Sequence, residues 1–391
     1  MPNLRIHAGA VALVALMLTG CNLEQMMVDA FTGAPNGGRD AVDPDRGGPS
    51  IFDGLGTVDT PGPPPVTLAY WIMEPGPTHI AVVPGEEQEQ DTPDDEDAPA
   101  TPAVGPVGWR TAESKPGKDG GFVRTWRAPS DTLPDDPAPA AATVVVIRGW
   151  GADVRGDGYL WHLSAALADA GCRVVSVDLR GHGDSTGDIV TSGFREVEDL
   201  AALLDHLDRR GLLDGPVGVL GHSYGGGIAV QFAAHDPRVR RVLALSPLVD
   251  IRPAMLPGVR AFARSQRPLS YFFYLQFVLT PEKIERVQAQ MEQRTGADLS
   301  RNNALARVEE IDVPILILQS DPDIATPLAG AEKLRDANPD RVELIVYPDG
   351  GHSSYLRKRW PQVEPTLRTW AAGLVAMSDA THTTALSKQG N

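Results

Sequence analysis

Apolar positions divide this chain into three stretches of different rhythm. From Ala8 to Leu18 every residue is apolar or glycine, a run short of the roughly 20 residues that span a membrane. From Asn22 to about Pro106 neither a helical nor a strand period holds, with one exception. Thr67-Leu68-Ala69-Tyr70-Trp71-Ile72-Met73 predicts a strand, one able to dock on the domain that follows. From about Val107 onward β-branched runs alternate with amphipathic segments. Thr143–Ile147, Arg173–Val177, Val217–Leu220, Val242–Leu245, Ile315–Leu318 and Val342–Tyr347 read as strands, the first a continuous β-branched run typical of a strand buried on both faces. Helices are predicted over Tyr159–Ala170, about Phe194–Arg210, Ile228–Ala234 and Pro281–Arg294; in the second, Leu200, Leu203, Leu204 and Leu207 fall at helical spacing.

Such alternation implies an α/β fold, a mostly parallel sheet with helices on both faces and sites at the carboxyl ends of its strands. The stretch between Val249 and Ile311 is too long for a simple connection. It carries the aromatic cluster Tyr271-Phe272-Phe273-Tyr274 with Phe277, and predicts a helical insertion over the sheet, about residues 250–310.

Charge sharpens the division. The 391 residues hold 51 acids and 35 bases, a formal charge of −16, and residues 22–100 alone contain sixteen acids against Arg39 and Arg46. Rich also in proline and glycine, residues 22–106 predict a largely disordered acidic linker, a tether holding the 107–376 domain away from a surface; 377–391 reads as a polar tail. The acidic balance argues against nucleic acid as a partner. Two cysteines, Cys21 and Cys172, are too few for a disulfide scaffold or a Cys-based zinc cluster. No metal site and no nucleotide-binding glycine fingerprint is visible, so no cofactor is expected. Cys172, leading into the Arg173–Val177 strand, reads as a buried and inert thiol.

Chemistry concentrates after three of the strands. Gly221-His222-Ser223-Tyr224-Gly225 follows Val217–Leu220 and runs straight into a helix, the context of a nucleophile elbow in which Ser223 stands exposed on a tight turn. A serine hydroxyl needs a base, and the base an orienting carboxylate. In chain order Ser, acid, His, the base is His352, in Gly350-Gly351-His352-Ser353 after the last strand. The acid should follow Ile315–Leu318, where the loop offers Asp321 and Asp323; Asp250, after the fourth strand, is a further possibility. An oxyanion needs two backbone donors: the amide of Tyr224, and one from Arg148-Gly149-Trp150-Gly151, for which Trp150 is the candidate.

With Asp178-Leu179-Arg180-Gly181-His182-Gly183-Asp184-Ser185, these motifs resemble the α/β-hydrolases of the monoacylglycerol lipase and lysophospholipase-like branch. The resemblance spans about Val107 to Leu374. It implies the α/β-hydrolase fold with a helical cap, and an acid about four residues before a helix-opening proline, which selects Asp323 ahead of Pro327. It also implies a serine hydrolase acting on small-molecule esters through an acyl-serine. Thioesterase or peptidase activity, or a non-catalytic binding protein, are the alternatives on the same fold. One position departs: most relatives carry His-Gly where this chain has Arg148-Gly149.

At the amino terminus, Arg5, the apolar run and the small residues before Cys21 read as a secretory signal over residues 1–21. Leu18-Thr19-Gly20-Cys21 resembles the lipobox of bacterial lipoproteins, which implies lipidation at Cys21 and a membrane-anchored cell-envelope protein. An uncleaved anchor, or a plain signal with a chance cysteine, are the other readings.

Overall fold

The computed structural model describes residues 23–42, 51–83, 107–114, 116, 120–129, 139–156, 160–255, 280–348 and 350–389. The described residues open with helix α1 (Leu23–Thr32), followed by strands β1 (Gly54–Asp59), β2 (Thr67–Met73), β3 (Thr78–Val83), β4 (Arg110–Glu113) and β5 (Phe122–Arg127). The alternating part runs β6 (Ala142–Ile147), α2 (Trp161–Asp169), β7 (Cys172–Val177), α3 (Glu196–Arg209), β8 (Val217–His222), α4 (Tyr224–His235) and β9 (Val239–Leu245). After helix α5 (Pro281–Thr295) and the short α6 (Ala304–Arg307) come β10 (Ile315–Asp321), α7 (Leu328–Ala337), β11 (Val342–Pro348), α8 (Tyr355–Lys358) and α9 (Trp360–Gln389).

Eight strands form one sheet in the order β1-β2-β7-β6-β8-β9-β10-β11, parallel from β7 to β11. This is the α/β-hydrolase fold. The predicted strands are all present, within a few residues of their expected ends. The continuous apolar character of β6 follows from two-sided burial, whereas β11, at the sheet edge, is partly exposed. Val144 and Val146 of β6 face a core with Leu163 and Leu167 of α2 and Trp360, Leu367 and Trp370 of α9. Val145 and Ile147 face the other side, with Leu200, Leu203, Leu204 and Leu207 of α3 and Ile228 and Phe232 of α4. Cys172 is fully buried, and burial pushes its thiol up to about 12, so it stays protonated.

The expected linker requires correction. Residues 22–106 are not simply a tether, because this segment supplies α1, β1, β2 and β3. The Thr67–Met73 patch becomes β2, pairing antiparallel with β7 on one side and β1 on the other. Leu68, Tyr70 and Ile72 point into one core while Trp71 and Met73 point into the other. Burying each of these large side chains is worth about 1.5–3 kcal/mol, so the edge of the sheet would be unstable without them. β3, β5 and β4 form a separate antiparallel sheet over α2, where the Thr78 hydroxyl donates to the Ala165 carbonyl at 3.2 Å. The domain therefore begins before Val107. The signal segment 1–21, the acidic run 84–106 and the aromatic cluster 271–277 lie outside the described residues.

Charge locks this added edge to the rest. Glu74, directly after β2, accepts from Arg173 of β7 at 3.0 and 3.1 Å with both side chains buried. Arg173 also reaches Asp214 at 2.6 Å. Burial raises the Glu74 carboxyl above its ordinary value, and the Arg173 guanidinium only partly offsets that. Removing one partner of a buried pair leaves a charge without compensation. Glu74→Ala is therefore expected to lower the unfolding free energy by about 3 kcal/mol, measured by urea denaturation; an unchanged midpoint would show that β2 is not held this way.

Candidate active site

The elbow is built from sterics. Ser223 sits between β8 and α4 with φ of 56° and ψ of −118°, a conformation side-chain-bearing residues rarely adopt. Its neighbours must be glycines. A Cβ on Gly221 would run into the Gly225 carbonyl, and one on Gly225 into the carbonyls of Arg148 and Ile147. The strained residue is pinned by three backbone hydrogen bonds. Ser223 N–H donates to Leu245 O at 2.8 Å, and Ser223 O accepts from Gly227 at 3.1 Å and Leu248 at 2.8 Å.

His352, in the loop after β11, comes back over this turn. Its Nε2 lies 2.8 Å from Ser223 Oγ and its Nδ1 2.8 Å from Asp323 Oδ2. Asp323 is buried beyond β10. Its Oδ1 accepts from the amides of Ala325 and Thr326, both at 2.9 Å, and its Oδ2 from the Thr326 hydroxyl at 2.9 Å and Gln319 Nε2 at 3.2 Å. Burial alone would push this carboxyl up, but the His352 and Thr326 contacts outweigh it and hold it below the usual carboxylate range. Of the three candidate acids only Asp323 meets the histidine. Asp321 is exposed at the end of β10, and Asp250 pairs with Arg252 at 2.6 Å.

The loop after β6 passes directly against the nucleophile candidate: a Cβ on Gly149 would lie 3.3 Å from Ser223 Cβ. Trp150 and Tyr224 are adjacent there, their rings edge to face with centroids 5.2 Å apart. His222 is buried beneath, and burial followed by the nearby His352 lowers it to about 3, so it stays neutral. Its Nε2 meets the Ser353 hydroxyl at 3.2 Å. A cavity of about 220 Å³ adjoins the group, lined by Pro247, Leu248, Val249, Ala254, Ile324 and Thr326 among others. It touches the constellation through Leu248 and Thr326. Among the described residues no group of His, Cys, Asp or Glu could hold a metal ion.

Residues 144–365 match the family model described as Alpha/beta hydrolase family, which is more than half of the chain. The chain belongs to the alpha/beta hydrolase family. This alpha/beta hydrolase is 25% identical over 240 residues to monoglyceride lipase of Rattus norvegicus, covering 53% of this chain and 75% of the lipase. It is 29% identical over 253 residues to the pimeloyl-acyl-carrier-protein methyl ester esterase of Neisseria meningitidis, covering 58% of this chain and 90% of that enzyme. The solved structure of the Pyrococcus furiosus esterase Pf2001 resembles it in fold, with a TM-score of 0.52 at 16% identity over 83% of this chain and 93% of that one.

Sequence reasoning missed Thr326. Its hydroxyl lies 2.9 Å from Asp323 Oδ2, 3.2 Å from His352 Nδ1 and 3.1 Å from the Ser246 carbonyl, joining three loops of the hydrolase at one atom. The readable signal was an Asp followed three residues later by Thr, a pattern that closes a turn on its own backbone. Arg148 is buried beside Asp178 and His222. The geometry separates the acids experimentally. Asp323→Asn is expected to lower kcat by about 10,000-fold, the scale of losing a triad carboxylate, while Asp321→Asn and Asp250→Asn leave it near wild type. A larger loss in Asp321→Asn would reverse the choice.

Proposed function

We propose that the protein is a serine hydrolase that cleaves carboxylic esters of small molecules through an acyl-Ser223 intermediate. The observation that carries this reading is the continuous hydrogen-bonded line from Ser223 through His352 to Asp323 at a strained elbow. His352 Nε2 takes the Ser223 proton as Oγ attacks the ester carbonyl, while ionised Asp323 holds Nδ1–H and stabilises the imidazolium. The amides of Trp150 and Tyr224 are the donors to the tetrahedral oxyanion, each worth on the order of 100-fold in rate. Collapse expels the alcohol, which leaves with the proton from His352. Water then attacks the acyl-serine with the same base and releases the acid.

The apolar lining of the cavity suits an acyl or aryl group beside the reacting centre. The lipase and esterase relatives support esters as the substrate class. The deciding experiment is labelling with a fluorophosphonate, paired with a series of p-nitrophenyl esters of increasing chain length. Wild type is expected to label and turn over, Ser223→Ala to do neither, and Ala329→Phe, which enlarges a residue that also lines the cavity, to shift preference toward shorter chains. Equal labelling of wild type and Ser223→Ala would overturn the reading.

We further propose lipidation at Cys21 and attachment to a cell-envelope membrane. No described helix is long and apolar enough to cross a membrane; the apolar run Ala8–Leu18 lies outside the described residues. The picture of a long spacer changes, however. Cys21 is two residues from the start of α1, at most about 7 Å of chain, and α1 is docked on the domain. An anchor there would hold the hydrolase against the bilayer. Cys21→Ser is expected to move the protein from the membrane to the soluble fraction; retention on membranes would refute the anchor.

A further inference from the structure

Residues 23–39 precede the family match by more than a hundred positions, yet they bind two parts of the molecule that flank the active site. On one side α1 lays Met27 and Val28 against Ile284, Val287 and Met291. Glu24 pairs with Arg286 at 2.6 Å and Asp29 pairs with Arg294, fastening α1 to α5. On the other side the chain leaving α1 runs along residues 181–190. Thr32 O accepts from Val190, Ala34 N–H donates to Asp188 O at 2.9 Å, and Asn36 N–H donates to Gly181 O at 3.0 Å.

Asn36 is the centre of this seam. Its Nδ2 donates to the carbonyls of Ser185 at 2.7 Å and Gly183 at 3.2 Å, and its Oδ1 accepts from Gly38 N–H at 3.0 Å. Arg39 adds an ion pair to Asp184 at 3.6 Å. The fit is steric as well. Gly181 has φ of 68°, and a Cβ there would meet Ala34 at 3.0 Å, so this glycine leaves the space that the strap occupies. The loop so held carries His182, buried, with its Nδ1 2.9 Å from Arg180 O. The His182 ring stacks on Tyr224 at 5.8 Å and 17°, and Trp150 meets it edge on at 5.7 Å. Tyr224 and Trp150 are the two oxyanion candidates.

We infer that residues 32–39 are a positioning strap for the oxyanion side of the active site, with Asn36 as its clamp. The inference rests on the proposed hydrolase chemistry for its effect on rate, though not for the physical linkage. Asn36 touches neither substrate nor the reacting atoms; it acts through the 181–185 loop and the rings packed on it. Displacing an oxyanion donor by a fraction of an ångström weakens transition-state binding while leaving ground-state binding largely intact.

The test uses the full chain with Asn36→Ala and with Asn36→Asp, which keeps the size and the acceptor but loses both side-chain donations. Two readouts are taken: steady-state kinetics on a p-nitrophenyl ester, and amide hydrogen exchange over 181–185 and at Tyr224. Both variants are expected to exchange faster there and to lose roughly 10-fold or more in kcat with KM near wild type. Asn36→Asp serves if the alanine variant does not fold. Unchanged exchange in a folded variant overturns the strap. Faster exchange with unchanged kcat overturns its positioning role. If wild type turns over no ester, the hydrolase reading fails, and exchange alone decides whether the strap holds the loop.

Discussion

The backbone of Ser223 is the constraint around which the rest of the site is arranged. A serine in the left-handed region is unfavourable by about 1–3 kcal/mol, and it persists only because its surroundings leave no alternative. Its amide and carbonyl are tied to Leu245, Gly227 and Leu248. The first and last of these belong to β9 and the loop after it, so the strain is borne by the neighbouring strand as well as by α4. The glycines at 221 and 225 follow from the same geometry, because any side chain there would meet backbone carbonyls. What strain accomplishes is exposure: Oγ projects from the carboxyl end of the sheet, where loops from β6, β10 and β11 can reach it.

Parallel pairing supplies those loops in register. β10 and β11 are aligned residue for residue to Asp321 and Pro348, so the loops carrying Asp323 and His352 leave the sheet side by side. β9 stands between β8 and β10, and Ser246 N–H donates to Leu318 O at 2.8 Å, closing the gap between the Ser223 turn and the loop carrying Asp323. The Thr326 hydroxyl then bridges Ser246, Asp323 and His352. The site is a consequence of sheet order before it is a consequence of side chains.

How much of this the sequence discloses depends on how local each signal is. β6 was legible because two-sided burial imposes a continuous β-branched run, the later strands because short apolar runs recur between helical segments, and the elbow because its glycines and serine fall within five residues. Asp323 and His352 were legible by chain order, Asp323 with help from family pattern. β1 was not, because Gly54-Leu55-Gly56-Thr57-Val58-Asp59 has no strand-like run and gains its conformation from pairing with β2. α1 and the strap were hidden by composition. Acids and prolines averaged over residues 22–106 describe the segment as a whole, whereas docking depends on single residues such as Met27, Val28 and Asn36. Their partners lie about 150 or more positions away, where no sequence window reaches.

Arg148 gains its meaning from that long-range arrangement. Arg148 is buried at the start of the loop after β6, and its charge favours ionisation of Asp178, a carboxyl that burial pushes up to about 7. Asp178 in turn accepts the amides of Val154 at 2.8 Å and Asp184 at 2.9 Å, holding two loops together. Asp184 pairs with Arg155 and, on the strap, with Arg39. A neutral histidine at 148 would leave Asp178 without this cation, and the buried carboxyl would favour its protonated form, a poorer acceptor for two amides. The guanidinium therefore stands at one end of a series of linked groups, Arg148, Asp178, Asp184 and Arg39, that runs from the loop after β6 to the amino-terminal strap, and the acidic segment that composition set apart becomes one end of the candidate site's support.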